Sequence, residues 1–344
     1  MYIYIMLKVN KINLNIINKE SELGNSSLQF KISGSNIEYP IINTIRRTIM
    51  SDIPIFAFGE CKFEKNSSSF HNNYMKLRFK HMPVWGIENS IDFLEKSKSN
   101  INTSNDMETI GEENDEAGDK IQLEVENNLS SSTLKQLTMY INTKNKTNKI
   151  ITISTNDAKF YYDEKQIPSP YKIPIPLIKL QPGQEIAFNA ITKIGTEEEE
   201  TMFTPVCICV YKQINENEFD FIIESRGQIS EKRIIQVALI NIERKLKNFI
   251  KLLNDNKTIF NGDKESGIII VNNEDHTLGN IISRGMQQHK LVSFAGYNMP
   301  HPLGKKVHFH YKLEKDGEIK SIIKDVVDYY LEIFSNIKKI VDTF

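Results

Sequence analysis

Glu274-Asp275-His276-Thr277-Leu278-Gly279-Asn280, followed by Phe294-Ala295-Gly296-Tyr297 and then Pro300-His301-Pro302-Leu303, decides how this chain folds. It predicts a turn, a helix, a strand and a second turn. The Thr277 hydroxyl is placed to cap the helix by accepting from a free N–H in its first turn. Leu278, Ile281, Ile282, Gly285 and Met286 then recur at the three- and four-residue intervals of one helix face. Gly279, with no Cβ, leaves room for a second backbone to pass closely. Leu291-Val292-Ser293-Phe294 suits a strand, and Pro300 and Pro302 end it.

An earlier stretch echoes this one. Pro40 fits the first turn of a helix whose apolar face is Ile41, Ile42, Ile45, Ile49 and Met50, and Pro54 stops it. Asn43 and Asn280 hold the same place in the two helices. An aromatic-Ala strand follows each (Phe56-Ala57, Phe294-Ala295), and a proline turn closes each. The pattern is that of a diverged internal duplication.

The blocks from Glu274 to Leu303 closely resemble the small alpha-like subunit of multisubunit RNA polymerases, the eleventh-subunit or archaeal L type. Asn43 to Pro54, with Leu77-Arg-Phe-Lys-His81-Met82-Pro83-Val84, resembles the large alpha-like subunit, the third-subunit or archaeal D type. Leu180 to Gln184 and Phe219 to Gly227 are similar to further blocks of that subunit. The resemblance implies an α+β chain in which two alpha-like dimerisation domains, helices on antiparallel sheets, form an intramolecular pseudo-dimer. The large one would span 1–84 and 176–255 and the small one 256–344. An inserted β-rich domain would occupy 85–175, with a disordered acidic loop at 96–118. Fused arrangements of this kind occur among large DNA viruses, and the Asn-, Lys- and Ile-rich composition suits an AT-rich genome.

The sequence departs from the family in two places. The insert of many members carries a cysteine cluster for zinc or iron–sulfur, and residues 85–175 contain no cysteine, so no cofactor is expected. The usual His-Ala-Lys-Trp is replaced by Glu200-Thr201-Met202-Phe203 after an acidic run, Glu197 to Glu200.

Two longer helices are predicted. Ile235, Leu239, Ile242, Leu246, Phe249 and Leu253 repeat along one, with Ser230 as its cap; Ile323, Val326, Tyr330, Ile333, Ile337, Ile340 and Phe344 repeat along the other. Such seams suit helix-on-helix packing. The expected pseudo-dimer interface is therefore Ile41, Ile42, Ile45 and Ile49 with Leu278, Ile281, Ile282 and Met286, and Ile242, Leu246 and Phe249 with Tyr330, Ile333 and Ile337. Arg46 and Arg47 point about 100° apart on their helix, so they cannot both join its apolar face. By resemblance they form a surface for the second-largest polymerase subunit. Glu274, Asp275, His276, Thr277, Gly279, Asn280, Phe294, Gly296, Tyr297, Pro300, His301 and Pro302 are expected to shape the structural motif.

The net charge of −1 provides no overall basic field for nucleic acid. DNA contact is thus expected only through a holoenzyme. Three cysteines (Cys61, Cys207, Cys209) give no disulfide framework and no Cys-x-x-Cys pair, and Cys207 and Cys209 should share a strand face as small buried thiols. No apolar run is long enough for a bilayer. A soluble intracellular protein is expected, in the virion and cytoplasmic replication site if viral, otherwise in the nucleus. No phosphate loop or nucleophile elbow is present. The rival reading from another class is a metal-dependent enzyme on His301, His308 and His310. The family reading is a non-catalytic platform whose partners are the largest and second-largest subunits and small zinc-bearing ones.

Overall fold

The structure, a computed structural model, describes residues 12–22, 25–85, 136–162, 165–254, 258–263, 265–301, 304–314 and 317–343. The strand expected at Leu7 and Val9, the acidic loop, Pro302 and Phe344 lie outside the described residues.

Strands β1 (Asn13–Glu22) and β2 (Asn25–Ser33) lead to helix α1 (Tyr39–Ser51), then β3 (Ile55–Asn66) and α2 (Asn72–Lys80). Next come β4 (Leu137–Lys144), β5 (Ile151–Ser154), β6 (Lys159–Tyr162), β7 (Lys165–Ile167), β8 (Pro176–Leu180) and β9 (Glu185–Gly195). Then follow β10 (Val206–Asn215), β11 (Glu218–Ser225) and α3 (Glu231–Asn254). The last run is β12 (Ile259–Gly262), β13 (Ser266–Asn272), α4 (His276–Gln288), β14 (Val292–Asn298), β15 (Lys306–Leu313) and α5 (Ile319–Asp342). They form two compact units, which part after Ile53 and after Gly195.

The first unit is α+β and holds two four-stranded antiparallel sheets, ordered β1-β2-β11-β10 and β12-β13-β15-β14. Each runs first strand, second strand, last strand, penultimate strand, with one helix after the second strand and another after the last. The duplication read in two helices therefore covers a whole half of the unit. Strand alternation supplies the core: Phe219, Phe221 and Ile223 of β11, and Val307, Phe309, Tyr311 and Leu313 of β15, are buried at every second position. Phe30 faces Phe221 across the ladder with rings stacked 5.2 Å apart. Helix α1 packs on α3 and α4, α3 on α5, and α4 on β14 and α5.

The echo fails at one point. Ile55 to Phe58 begin β3, which pairs with β9 in the other unit, and β10 takes the place that β14 has in its sheet. The four residues Ile55, Phe56, Ala57 and Phe58 are all buried, as in a strand covered on both faces, whereas β14 leaves Ser293 and Phe294 exposed. Cys207 and Cys209 do not share a face either. Cys209 is buried and Cys207 exposed, because a register shift between Val206 and Ile208 breaks the alternation.

The second unit is mostly strand, with a five-stranded antiparallel sheet β3-β9-β4-β6-β7 and a two-stranded pair β5-β8. Phe79 of α2 stacks on Phe188 of β9 at 4.6 Å over a core of Met75, Met139 and Ile141. Buried Asn145 is satisfied by donating to the Lys149 and Leu180 carbonyls. Gly183, at φ 82°, makes the tight turn predicted at Pro182-Gly183.

Candidate functional site

The expected interface residues lie on helices that pack across the two halves of the first unit, α1 on α4 and α3 on α5. Ile41, Ile42, Ile45 and Ile49 on α1, and Leu278, Ile281, Ile282 and Met286 on α4, are all buried, as are Ile242, Leu246, Phe249, Tyr330, Ile333 and Ile337 on α3 and α5. Burying each such side chain stabilises the pairing by roughly 1.5–3 kcal/mol. The longer helices run antiparallel: Lys232 and Gln236, near the start of α3, donate to the carbonyl and the carboxylate of Asp342 at the end of α5. Phe249 of α3 also meets Phe309 of the opposite sheet, 5.7 Å between centroids, so the helix serves both a helix and a sheet.

Two glycines permit close packing within the second half. A Cβ on Gly279 would lie 2.5 Å from the Tyr297 ring, so the glycine admits a side chain rather than a backbone. A Cβ on Gly285 would lie 2.4 Å from Val326 and 2.7 Å from Tyr330, so its absence lets α5 close on α4.

Polar contacts fasten both ends of the α1–α4 crossing. At one end Arg47 of α1 donates from Nε to the Thr277 hydroxyl (2.9 Å) and from Nη2 to Asp275 Oδ2 (3.1 Å). At the other, Arg284 of α4 donates from Nε to Glu38 Oε2 (2.8 Å), and Gln288 donates to Glu38 Oε1 (2.7 Å). Glu38 and Asp275 are the N-cap residues of α1 and α4. The interval from Glu38 to Arg47 equals that from Asp275 to Arg284, nine residues, or about 13.5 Å of helix. In an antiparallel pair that interval sends each arginine to the other helix's cap. Each carboxylate thus serves its own helix dipole and its partner's arginine together.

The cap on α4 is Asp275, not Thr277. Asp275 Oδ1 accepts from the Thr277 N–H at 2.9 Å, and the Thr277 hydroxyl donates to Oδ2 and accepts from Arg47. The Asp275 end is crowded with charge. Lys245 of α3 lies 2.9 Å from Asp52, beside Glu274 and Asp275, and Lys305 lies 2.8 Å from Glu198. Burial works to raise the Asp275 carboxyl, but Lys245, Thr277 and Arg47 outweigh it and hold it below its ordinary value. Glu274 goes the other way: burial, with Asp275, Asp52 and Glu198 nearby, pushes it up to about 7 against Lys245. The Glu38 end has Tyr329 and Tyr330 instead, and Tyr329 accepts from Asn36 at 3.0 Å.

Arg46 bonds within its own helix, to Asn43 (3.1 Å) and the Met50 sulfur (3.1 Å). Asn280 is half-buried, and His276 sits edge-on to Tyr297 at 5.9 Å. Phe294, Pro300 and His301 are exposed and Gly296 half-buried. His308 and His310 lie on the outer face of β15, His310 bonded to Asn298 at 2.9 Å. Among the described residues no group of three His, Cys, Asp or Glu side chains is placed to hold a metal, and the metal-enzyme reading has no support.

The RNA polymerase Rpb3/Rpb11 dimerisation domain matches twice, over residues 31–246 and again over 266–339, one match to each half of the duplication. The chain belongs to that family. A protein of Acanthamoeba polyphaga mimivirus named as a DNA-directed RNA polymerase subunit is 27% identical over 326 residues, covering 91% of this chain and 90% of that one. The Methanobrevibacter smithii polymerase subunit Rpo3 is 26% identical over 221 residues, 60% of this chain and 66% of its own. The RPAC2 subunit of Drosophila melanogaster RNA polymerases I and III is 32% identical over 71 residues, 20% of this chain and 68% of its own. Both matches to the dimerisation domain thus lie in one polypeptide.

The reciprocal arginines went unread in the sequence. Their signal was present as the equal carboxylate-to-arginine interval in two duplicated helices. Lys245 and Gly285 had no comparable mark, since each matters through an element distant in sequence.

Proposed function

We propose that this Rpb3/Rpb11-family chain is the non-catalytic assembly platform of a DNA-directed RNA polymerase. The reciprocal Arg47–Asp275 and Arg284–Glu38 contacts carry the reading, since they hold the two dimerisation domains as a preformed pair within one chain. The tether supplies the second domain at an effective concentration on the order of millimolar and fixes a one-to-one ratio. In this reading 1–84 with 176–255 is the Rpb3-like part, 256–344 the Rpb11-like part and 85–175 the insert. The partners are the largest and second-largest subunits, which hold the catalytic metal and the DNA, and small zinc-bearing subunits. Arg46, with the outward side of Arg47, belongs to the contact with the second-largest subunit; arginine's planar fork suits carboxylates there. A virion and cytoplasmic replication site is the proposed location, in keeping with the mimivirus relative. No helix among the described residues is long and apolar enough to cross a membrane.

The test is size-exclusion chromatography with mass spectrometry on the tagged chain from its native context. Co-elution with two large subunits in equal amounts is expected, with less of the second-largest subunit for Arg46→Glu. Elution as a lone folded monomer would end the platform reading.

A further inference from the structure

Helix α2 and the turn before it have two apolar faces, of which the fold uses one. Met75 and Phe79 are fully buried in the core of the second unit. On the other side Tyr74 and Leu77 are 49% and 56% exposed, and Phe70 beside them is 40% exposed. A surface helix ordinarily keeps that second face polar. The exposed rings are also fixed. Phe70 stacks on Tyr74 with centroids 4.7 Å apart, and Asn66 donates to both the Phe70 carbonyl (2.9 Å) and Asn72 (2.7 Å). His71 caps the helix by accepting from the Asn73 N–H at 3.3 Å. A platform already ordered spares a partner the cost of ordering it.

The charge carried by this segment has one sign. From Lys65 to Trp85 there is no Asp or Glu, while Lys65, Lys76, Arg78 and Lys80 are cationic, in a chain whose net charge is −1. Lys65 is answered by Glu185 at 3.8 Å. Arg78 is exposed and commits one nitrogen to the Pro176 carbonyl at 2.9 Å. Helix geometry sets Arg78 and Lys80 on opposite flanks of the Tyr74–Leu77 stripe. We propose that this face of α2 docks an acidic amphipathic helix of another protein. Apolar residues of that helix would cover Phe70, Tyr74 and Leu77, and its flanking carboxylates would meet Arg78 and Lys80. A protein suits the site better than a nucleic-acid strand, because the most exposed residue is aliphatic and the two rings stack on each other, not open to bases.

The test uses the full-length chain and a designed, fluorescein-labelled helix with leucines at three- and four-residue spacing between flanking glutamates. Fluorescence polarisation should show binding that weakens by about tenfold or more when lysines replace the glutamates. Leu77→Glu should weaken it about as much with an unchanged thermal melt, since the residue is exposed. Arg78→Glu with Lys80→Glu should reverse the preference to the lysine-flanked helix. Equal affinity for the two helices, absence of binding, indifference to Leu77→Glu, or displacement of the helix by oligothymidine would each overturn the proposal. In the assembled complex, a photo-cross-linking residue at position 77 should capture another polypeptide; capture only of this chain, of a second copy or of nucleic acid would overturn it equally.

Discussion

The two ends of the α1–α4 crossing are built from the same parts, a cap carboxylate and an arginine nine residues on, yet they stand in different surroundings. Arg284 and Glu38 form a simple pair beside Tyr329 and Tyr330. Arg47 and Asp275 belong to a nest in which Asp52 and Glu274 gather around Lys245, with Glu198, paired to Lys305, near Glu274. The contrast teaches that an ion pair's weight is set by what its removal leaves behind, not by its own geometry. Stripping Arg284 leaves one partly solvated carboxylate. Stripping Arg47 leaves Asp275 among three other acids with Lys245 and Lys305 to answer them.

The largest effects should come at the tyrosine end, where packing dominates. Tyr330→Ala, at a 2% exposed position against Gly285, should cost about 3–5 kcal/mol in urea unfolding of the whole chain. Gly285→Val should cost about 1–3 kcal/mol, because the new side chain starts inside the space of Val326 and Tyr330. An unchanged midpoint for either would show that the close packing of α5 on α4 contributes nothing to stability.

The charge contrast can be broken directly. Arg47→Ala should cost about 1–2 kcal/mol and Arg284→Ala less than about 1 kcal/mol, both falling with added salt. Exchange should work at one end only. Glu38→Arg with Arg284→Glu should recover part of the loss, because Glu38 makes no side-chain cap bond, although each new charge opposes its helix dipole. Asp275→Arg with Arg47→Asp should not, because it removes the cap on Thr277 and sets an arginine near Lys245. Equal recovery at both ends would mean the nest has no energetic role.

The same cluster of charge predicts a modest pH dependence. Glu274 has a folded pKa of about 7, above its ordinary 4.5, so the folded state holds its proton more tightly than the unfolded one. Its penalty is absent below the unfolded pKa, grows as pH rises from 4.5 to 7, and is complete above 7. Glu274→Gln should therefore stabilise the chain at pH 8 by about 1 kcal/mol after allowance for solvent screening, and hardly at all near pH 4. Asp275 works in the opposite direction: its lowered pKa gives stability present at neutral pH and lost as pH falls through the acid range. A gain from Glu274→Gln that did not change with pH would remove the charge explanation.

Much of this architecture was legible in the residues. The apolar faces of α1 and α4 follow from three- and four-residue spacing, because a helix buries what its period places together. The seams of α3 and α5 read in the same way, and both halves were recognisable by their motifs. What escaped depended on partners far along the chain. Asp275 and Thr277 are both good caps in isolation, and the choice rests on Arg47 claiming the threonine. The course of β3 was misread because Phe56-Ala57 looks like Phe294-Ala295, and only pairing with β9 distinguishes them. Cys207 turned outward through a bulge that has no local sequence signature.

The equal spacing of acid and arginine has a consequence for ancestry. Helix α1 carries Glu38 and Arg47, and α4 carries Asp275 and Arg284, so each presents both halves of the contact it makes. A surface on which residue i meets j while j meets i is isologous, the kind that a two-fold homodimer builds. Its charges cannot tell kin from self. Two copies of either helix would satisfy the same pattern, so discrimination falls to the covalent link between the halves. The covalent link fixes one partner choice that electrostatics alone leaves open.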